Sequence, residues 1–347
     1  MTGTVEIFEV GPRDGLQNER LPIATSAKIA LVDCLSGAGF RRIECASFVS
    51  PKWVPQMADS AEVLAGIARA PGVSYAALTP NMTGLERALA ARADEVAVFG
   101  SASEGFSRAN INASVADSLA RFAPVADAAR AAGLPVRGYV SCVVECPYDG
   151  PVQPGAVARV VAALRDMGCY EVSLGDTIGQ GRPEAVARML QAVLQEMPAD
   201  RLAGHFHDTS GRALENVSVA LEAGLRVFDA AVGGLGGWAG AVGRADRVPV
   251  AQVRAGGEVG GQAGEGAVQL ALADDMEALQ HGTHAHTLRH AHTQTNKHPC
   301  RWPACAEGNC HGSWARTRQQ RQTHKHALAR ANIHTDRRTS GRNNRGA

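Results

Sequence analysis

Two histidines separated by one residue, His205 and His207, are the strongest chemical feature of the sequence. They close a short apolar run typical of a β-strand, where side chains two positions apart point to the same side. Both imidazoles can therefore reach one cation, and Asp14 would complete a set of two histidines and one carboxylate. Such mixed donors suit an octahedral Mg²⁺ or Mn²⁺ ion. The alternative is that one histidine is exposed and the other is satisfied within the fold.

Other polar residues follow the ends of further predicted strands. They are Arg13 and Asp14 after the first strand, Glu44 and Ser47 at the second, Asp176 and Thr177 after the sixth, and Asp208 after the seventh. Catalytic groups of a parallel barrel gather at the carboxyl ends of its strands. We therefore expect these side chains to surround one site.

The elements that would position these residues alternate regularly over the first two-thirds of the chain. Short apolar or β-branched runs predict strands at residues 5–10, 42–45, 73–78, 95–99, 136–141, 170–174, 202–206 and 227–232. Amphipathic stretches predict helices at residues 26–37, 58–70, 84–91, 115–132, 155–167, 183–196 and 212–223. Eight strands alternating with seven helices favour an α/β fold, a (β/α)8 TIM barrel. A doubly wound sheet could host the same alternation.

Four motifs along this stretch are similar to one known family. They are EVGPRDGLQNE at residues 9–19, SFVSPKWVPQM at 47–57, SLGDTIG at 173–179 and HFHDT at 205–209. In order and position they resemble the 3-hydroxy-3-methylglutaryl-CoA lyases, which are metal-dependent TIM barrels. The resemblance covers about residues 5–237. Barrels that condense acyl-CoA with 2-oxo acids share the Arg-Asp pair and the His-x-His, but GLQNE and SPKWVPQM are similar to the lyase branch.

The resemblance implies a substrate, 3-hydroxy-3-methylglutaryl-CoA, and its cleavage to acetyl-CoA and acetoacetate in leucine catabolism and ketone body formation. It also assigns roles to residues of this sequence. The metal ligands, for Mg²⁺ or Mn²⁺, would be Asp14, His205 and His207. The catalytic residues would be Arg13, Asp176, His205 and Glu44. The substrate-binding residues would be Arg13, Gln17, Ser47 and Thr177.

The chemistry of such a cleavage explains these residue types. The C3 hydroxyl must lose its proton, for which Asp176 or His205 would be the acceptor, and the departing thioester enolate must be stabilised. Arg13 would offset the negative charge on the thioester oxygen, while Glu44 would orient groups around the metal. The alternative for Arg13 is a structural salt bridge with Glu44 or Asp176.

The sequence changes character after Gly237. Residues 1–237 carry 20 lysines and arginines against 26 acidic residues, whereas residues 238–347 carry 15 against 8. Ten of the 12 histidines lie beyond residue 280, and residues 281–347 contain only three leucine, isoleucine, valine or phenylalanine residues. We therefore predict a catalytic barrel at 1–237, without a recognisable eighth helix, and an irregular, disordered tail at 238–347 with one short helix at 266–280.

The family pattern breaks at the same place. A glycine-rich loop, Cys-Pro and then an Asn in a GNxATED-like stretch would be expected, but the glycines here lead into Trp238 and neither the Cys nor the Asn follows. In the family these residues would be a proton-delivering thiol and a fourth metal ligand. The break in mid-motif predicts that residues 238–347 are an out-of-frame translation. A catalytically inactive barrel that binds CoA or metal is therefore an alternative to the lyase.

Composition restricts the remaining possibilities. The chain has 347 residues with net charge +1, and it contains no apolar run long enough to cross a membrane. Met1 leads within a few residues into the first predicted strand, so we expect no leader and a cytoplasmic protein. The basic tail holds no recognition module, so we expect no nucleic-acid partner. We expect a homo-oligomer, a dimer.

Overall fold

The computed structural model describes residues 4–19 and 21–236. The predicted tail at 238–347, its short helix at 266–280 and the position of an eighth barrel helix after the last strand lie outside these residues. Among the described helices, none has the length and apolar character that crossing a membrane would require.

Eight parallel strands close into a barrel, which confirms the predicted (β/α)8 fold over a doubly wound sheet. The strands are Glu6–Glu9 (β1), Arg42–Ser47 (β2), Ser74–Leu78 (β3), Glu95–Ser101 (β4), Val136–Ser141 (β5), Glu171–Asp176 (β6), Leu202–Phe206 (β7) and Val227–Ala230 (β8). Neighbours in sequence are neighbours in space, and β8 pairs with β1 to close the cylinder. The last strand ends two residues before the predicted limit because Val232–Gly234 forms a 3₁₀ turn.

Helices follow the strands and cover the outside of the barrel. They are Thr25–Gly37 (α1), Ser60–Gly66 (α2), Met82–Ala90 (α3), Glu104–Ile111 (α4), Val115–Ala131 (α5), Pro154–Asp166 (α6), Pro183–Val193 (α7) and Ala213–Glu222 (α8). Buried aliphatic side chains of these helices pack against the outward-facing side chains of the strands, as Leu164 of α6 and Leu174 of β6 do in one continuous core. Burial of this apolar surface is the main force that holds the helices on the sheet.

The helix at Glu104–Ile111 is one that the sequence pattern does not predict. Its stability comes from contacts outside the helix: the Ser103 hydroxyl accepts a hydrogen bond from the Phe106 backbone N–H and donates one to Asp149. The Asp149 carboxylate also accepts from the Gly105 N–H at 2.6 Å. Asp149 lies beside a two-stranded hairpin after β5, so a segment distant in sequence caps this helix.

Charged side chains, rather than aliphatic ones, fill the amino-terminal half of the barrel interior. Arg137 of β5 is fully buried and contacts Asp229 of β8 at 2.7 Å and Glu171 of β6 at 2.6 Å. Arg42 of β2 pairs with Glu171 and lies near Glu95. The Arg137 guanidinium also lies 4.3 Å from the centre of the Phe8 ring. These contacts cross the barrel and tie opposite strands together.

The Glu9 side chain links the first strand to the turn that follows the last strand. This side chain is 1% exposed, and its Oε1 accepts hydrogen bonds from the backbone N–H groups of Gly11 at 2.8 Å and Val232 at 3.0 Å. A Cβ atom at position 11 would lie 2.5 Å from that oxygen, which explains the glycine. Burial raises the pKa of Glu9 to about 7, against the opposing effect of the two N–H groups.

The raised pKa predicts that Glu9→Gln stabilises the protein more at high pH than at low pH. The folded protein retains the Glu9 proton up to about pH 7, whereas the unfolded chain releases it near pH 4.5. The contribution of Glu9 to the free energy of unfolding therefore falls as pH rises through this window, while glutamine does not titrate. Between pH 5 and 8 the advantage of the variant should grow by about 2 to 3 kcal/mol.

Urea unfolding of both proteins at pH 5 and pH 8 measures this difference. Glu86→Gln on the exposed face of α3 is the matched control and should show no such growth. An advantage of Glu9→Gln that is the same at both pH values would contradict the prediction.

Candidate active site

Arg13 and Asp14 reach the mouth of the barrel through a tight turn after β1. Residues Gly11–Gly15 form one π-helical turn in which the Val10 carbonyl accepts hydrogen bonds from the N–H groups of Arg13 and Asp14. Glu9 anchors the start of this turn, as described above. The turn thus presents a cation and a carboxylate side by side at the carboxyl end of the first strand.

His205 and His207 lie at the end of β7, which is separated from β1 only by β8. Their Nε2 atoms face each other at 3.0 Å. The Oδ2 atom of Asp14 lies 3.6 Å from the Nε2 of His205 and 3.7 Å from that of His207. The structure therefore brings together the three residues that the sequence suggested as metal ligands, with donor atoms within 4.8 Å of one another.

The other ring nitrogens decide where the histidine protons are. The Nδ1 atom of His205 lies 3.0 Å from a carboxylate oxygen of Asp229, and that of His207 lies 2.7 Å from the Thr177 carbonyl oxygen. The Thr177 carbonyl oxygen can only accept a hydrogen bond, and so can the Asp229 carboxylate when it is ionised. A neutral imidazole that faces such an oxygen carries its proton on Nδ1. Both Nε2 lone pairs then point at each other and at Asp14.

With both imidazoles neutral, three acceptor atoms converge with no donor between them, which is unfavourable for buried groups unless a cation balances them. A divalent cation would supply that balance, so the residues fit a metal ion. Two imidazole nitrogens and one carboxylate oxygen form the donor set of a divalent cation site. The other nitrogen of each ring and the other oxygen of the carboxylate are hydrogen-bonded to the protein, which orients the three side chains. Asp14, His205 and His207 could hold the ion.

The charge state of Asp14 suits this arrangement. Its Oδ1 accepts hydrogen bonds from Arg13 at 2.7 Å and from Gln17 at 2.8 Å, which leaves Oδ2 facing the histidines. Burial opposes ionisation, but Arg13 and the two histidines outweigh it and hold the pKa of Asp14 well below its usual range. For His207, burial acts to lower the pKa, but Asp14 and the Thr177 carbonyl outweigh this effect and raise the pKa above its ordinary value.

Arg13 is held in place from behind. It is 6% exposed, its Nε donates to Glu44 Oε2 at 2.6 Å, and its second terminal nitrogen contacts the same oxygen. Tyr139 donates a further hydrogen bond to this oxygen at 3.0 Å. Of the two salt-bridge partners considered from the sequence, the structure shows Glu44 and not Asp176. The ion pair orients Arg13 and leaves two of its five N–H groups without a partner in the described part of the chain.

Two further polar groups on β2 have unmet hydrogen-bonding capacity. Glu44 Oε1 and the Ser47 hydroxyl are buried without a hydrogen-bond partner among the described residues. Burial raises the pKa of Glu44, against the opposing effect of Arg13. Buried unpaired polar atoms are costly and mark places where a ligand or water completes the hydrogen bonds.

Asp176 and Thr177 hold loops rather than contacting Arg13. The Asp176 carboxylate at the end of β6 accepts from the Gly181 N–H at 2.8 Å and the Gln180 N–H at 3.3 Å. Burial raises the pKa of Asp176 despite these N–H groups and nearby His207. The Thr177 hydroxyl accepts from the Cys142 N–H at 2.8 Å. Its main chain, and not its side chain, meets the histidine pair.

Sequence reasoning missed two residues that touch the site from below, Tyr139 and Asp229. Tyr139 contacts Glu44, and Asp229 contacts His205. A signal for Asp229 does exist, since it is an acidic residue inside the otherwise apolar stretch of β8. Only its cross-barrel position, however, reveals its partner.

Comparisons with known proteins identify the family of the chain. A sequence model of the family described as HMGL-like matches residues 4–256. A Pseudomonas aeruginosa protein named 3-hydroxy-3-isohexenylglutaryl-CoA/hydroxy-methylglutaryl-CoA lyase is 61% identical over 233 residues, which are 67% of this chain and 78% of that protein. The mitochondrial hydroxymethylglutaryl-CoA lyase of Bos taurus is 59% identical over 233 residues, again 67% of this chain and 72% of the relative.

A solved structure of a lyase is also similar to this chain. The crystal structure of the HMG-CoA lyase from Brucella melitensis is 61% identical and superposes with a TM-score of 0.70, covering 72% of this chain and 87% of that one. The family model spans well over half of the chain, and the alignments cover more than two thirds of the Pseudomonas aeruginosa and Bos taurus relatives. This chain is a member of the HMGL-like family.

Proposed function

We propose that this protein is a carbon–carbon lyase that cleaves 3-hydroxy-3-methylglutaryl-CoA to acetyl-CoA and acetoacetate. The observation that carries the proposal is the convergence of Asp14, His205 and His207 beside a buried, oriented Arg13 at the mouth of the barrel. The relatives named as hydroxymethylglutaryl-CoA lyases, at 55% to 61% identity, support this substrate. Leucine catabolism and ketone body formation are the processes that such a reaction would serve.

The cofactor of this proposal is a divalent cation, Mg²⁺ or Mn²⁺, held by Asp14, His205 and His207. Once bound, such an ion supplies Lewis acidity that lowers the pKa of the substrate's C3 hydroxyl. The protein residues prepare the site before substrate arrives. Gln17 and Arg13 occupy one oxygen of Asp14, so that the other is aimed at the histidines.

Arg13 stabilises the charge that develops as the carbon–carbon bond breaks. Its guanidinium is permanently cationic and, because Glu44 and Asp14 fix three of its N–H groups, it needs no reorientation during the reaction. Donors held in place for a developing oxyanion contribute more than mobile ones. We assign Arg13 to the thioester oxygen, with Ser47 and Thr177 beside the substrate and Glu44 orienting Arg13.

The proton of the C3 hydroxyl goes to Asp176 or His205. Burial raises the pKa of Asp176, which makes its carboxylate a stronger base than an exposed aspartate. His205 has its Nδ1 committed to Asp229 and its Nε2 in the proposed ligand set. A proton on that Nε2 would compete with the ion, whereas a proton on Asp176 would not.

The sequence after Gly237 bears both on turnover and on how tightly the site would hold its ion. The family's loop Cys and its Asn ligand are missing from residues 238–347. Loss of a proton donor lowers a rate by about 10²- to 10⁴-fold. Translation of the other two forward frames of the gene tests our explanation: a Cys-Pro and a GNxATED-like run in one of them would support the frame shift, and their absence from both would refute it.

Cellular location and assembly remain predictions from the sequence. The Bos taurus relative is named as mitochondrial and a Danio rerio relative as cytoplasmic, so relatives of this chain occur in both compartments. The cytoplasmic location and the homodimer are open to fractionation and to light scattering of the purified protein.

Purified protein should release acetoacetate from 3-hydroxy-3-methylglutaryl-CoA in the presence of Mg²⁺ or Mn²⁺. Arg13→Met should lower kcat by about 10²- to 10³-fold because a fixed donor for the developing charge is lost. Arg108→Met on the exposed surface of α4 is the matched control and should leave kcat unchanged. Condensation with 2-oxo acids in place of cleavage would favour the related condensing enzymes, and metal binding without either reaction would favour an inactive barrel.

Mn²⁺ binding, followed by electron paramagnetic resonance, should depend on the three proposed ligands. Asp14→Asn, His205→Ala and His207→Ala should each abolish or greatly weaken it, because one of three donors is lost. Affinity should also fall as pH is lowered, since protons compete for the Nε2 atoms. Asp127→Asn on the exposed face of α5 is the control. Unchanged affinity in His205→Ala would remove the proposed site.

Asp176→Asn should lower kcat while Mn²⁺ affinity stays within about threefold of the original, because Asp176 acts as base and not as ligand. In the unsubstituted protein kcat should decline as pH falls through the raised pKa of Asp176, since the acceptor must be ionised. If the variant retains full kcat, the proton goes to His205 instead. Thermal unfolding checks that the loop held by Asp176 stays folded.

A further inference from the structure

Asp229 lies directly behind His205 in the barrel interior. Its Oδ2 atom is 3.0 Å from the Nδ1 of His205, the side of the ring that faces away from Asp14. The two residues belong to the adjacent strands β7 and β8. Among the described residues His207 has no equivalent side-chain partner, because its Nδ1 meets the Thr177 main chain.

Asp229 is itself fixed by donors from two other strands. Arg137 of β5 donates to Oδ1 at 2.7 Å and to Oδ2 at 3.2 Å, and the Ser173 hydroxyl of β6 donates to Oδ2 at 2.7 Å. The side chain is 2% exposed. The three other hydrogen bonds that described residues make to this carboxylate all come from donors, which leaves His205 the role of a fourth donor.

Arg137 keeps the carboxylate charged. The Arg137 guanidinium donates one hydrogen bond to each oxygen of Asp229, the two-pronged contact that a guanidinium makes with an ionised carboxylate. Other contacts hold the Arg137 guanidinium in this position: its Nε donates to Glu171 at 2.6 Å, and the guanidinium lies against the rings of Phe8 and Tyr139. An ionised Asp229 cannot donate to the ring, so the ring must donate to it.

We propose that Asp229 is a positioning residue that acts through His205: it holds the proton on Nδ1 and turns the Nε2 lone pair towards Asp14 and His207. The proposal rests on the proposed metal site. Carboxylates behind a ligating histidine fix its tautomer and raise its basicity, and their loss typically weakens metal binding by about 10- to 100-fold. Asp229 would thus determine how strongly the site binds its ion, although it lies below the site.

The competing explanation is that Asp229 only pairs with Arg137 to hold the barrel together. Three variants separate the two roles. Asp229→Asn removes the charge from both Arg137 and His205. Asp229→Glu keeps a charge for Arg137 but displaces the carboxylate by one methylene from the ring. Ser173→Ala removes a hydrogen bond from the same Oδ2 and leaves the contact to His205 intact, so it is the matched control.

The first measurement is Mn²⁺ affinity. Asp229→Asn and Asp229→Glu should weaken binding by about 10- to 100-fold, and Ser173→Ala by less than about threefold. Circular dichroism and thermal unfolding establish that each variant is folded, and Asp229→Glu remains informative if Asp229→Asn is not. Unchanged affinity in a folded Asp229→Glu or Asp229→Asn variant would overturn the proposal.

The second measurement needs neither metal nor turnover. Nitrogen-15 chemical shifts of histidine-labelled, metal-free protein should show His205 protonated on Nδ1, with the signal assigned by its disappearance in His205→Ala. In Asp229→Asn the ring should become a mixture of tautomers. Protonation on Nε2 in the original protein would overturn the proposal without any variant. If the original protein fails to bind Mn²⁺, the proposed function fails, and the tautomer still decides the role of Asp229.

Discussion

A buried ion pair between Arg137 and Asp229 at the centre of the barrel is the interaction on which the rest of the site depends. Charges so deep in a protein are tolerated only when each is paired and hydrogen-bonded, and here Glu171 completes the partners of Arg137. Because the ion pair joins β5 to β8 across the interior, it fixes the distance between two strands that are separated by β6 and β7. Because Asp229 also meets His205, the same pair determines the orientation of a ring at the mouth.

Tyr139 connects this interior layer to the layer above it. Its ring lies 4.8 Å from the Arg137 guanidinium and 5.5 Å from that of Arg13, while its hydroxyl donates to Glu44. The two arginines are thus separated by an aromatic ring and are each balanced by carboxylates. A barrel interior built in such layers presents fixed charges to a ligand and needs little rearrangement to bind it, which is the arrangement that favours electrostatic stabilisation of a transition state.

Much of the fold was predictable from local patterns. The alternation of strands and helices depends on side-chain periodicity over a few residues, so seven helices and eight strands were recognised with errors of only a few residues at their ends. The helix Glu104–Ile111 was missed because Asp149, some forty residues later, supplies part of its cap. The candidate site shows the same division: His205 and His207 are apparent from their spacing, whereas Asp229 is an unremarkable acid in a strand until the barrel closes.

The sequence by itself determined which residues stand at strand ends and that two histidines share a side of one strand, because both follow from the two-residue repeat of a β-strand. Only the tertiary structure decided that Asp14 faces those histidines, that Glu44 rather than Asp176 holds Arg13, and that Asp229 meets the Nδ1 of His205. These are contacts between strands far apart in the chain. They exist only once the barrel has closed and water has been removed from its interior.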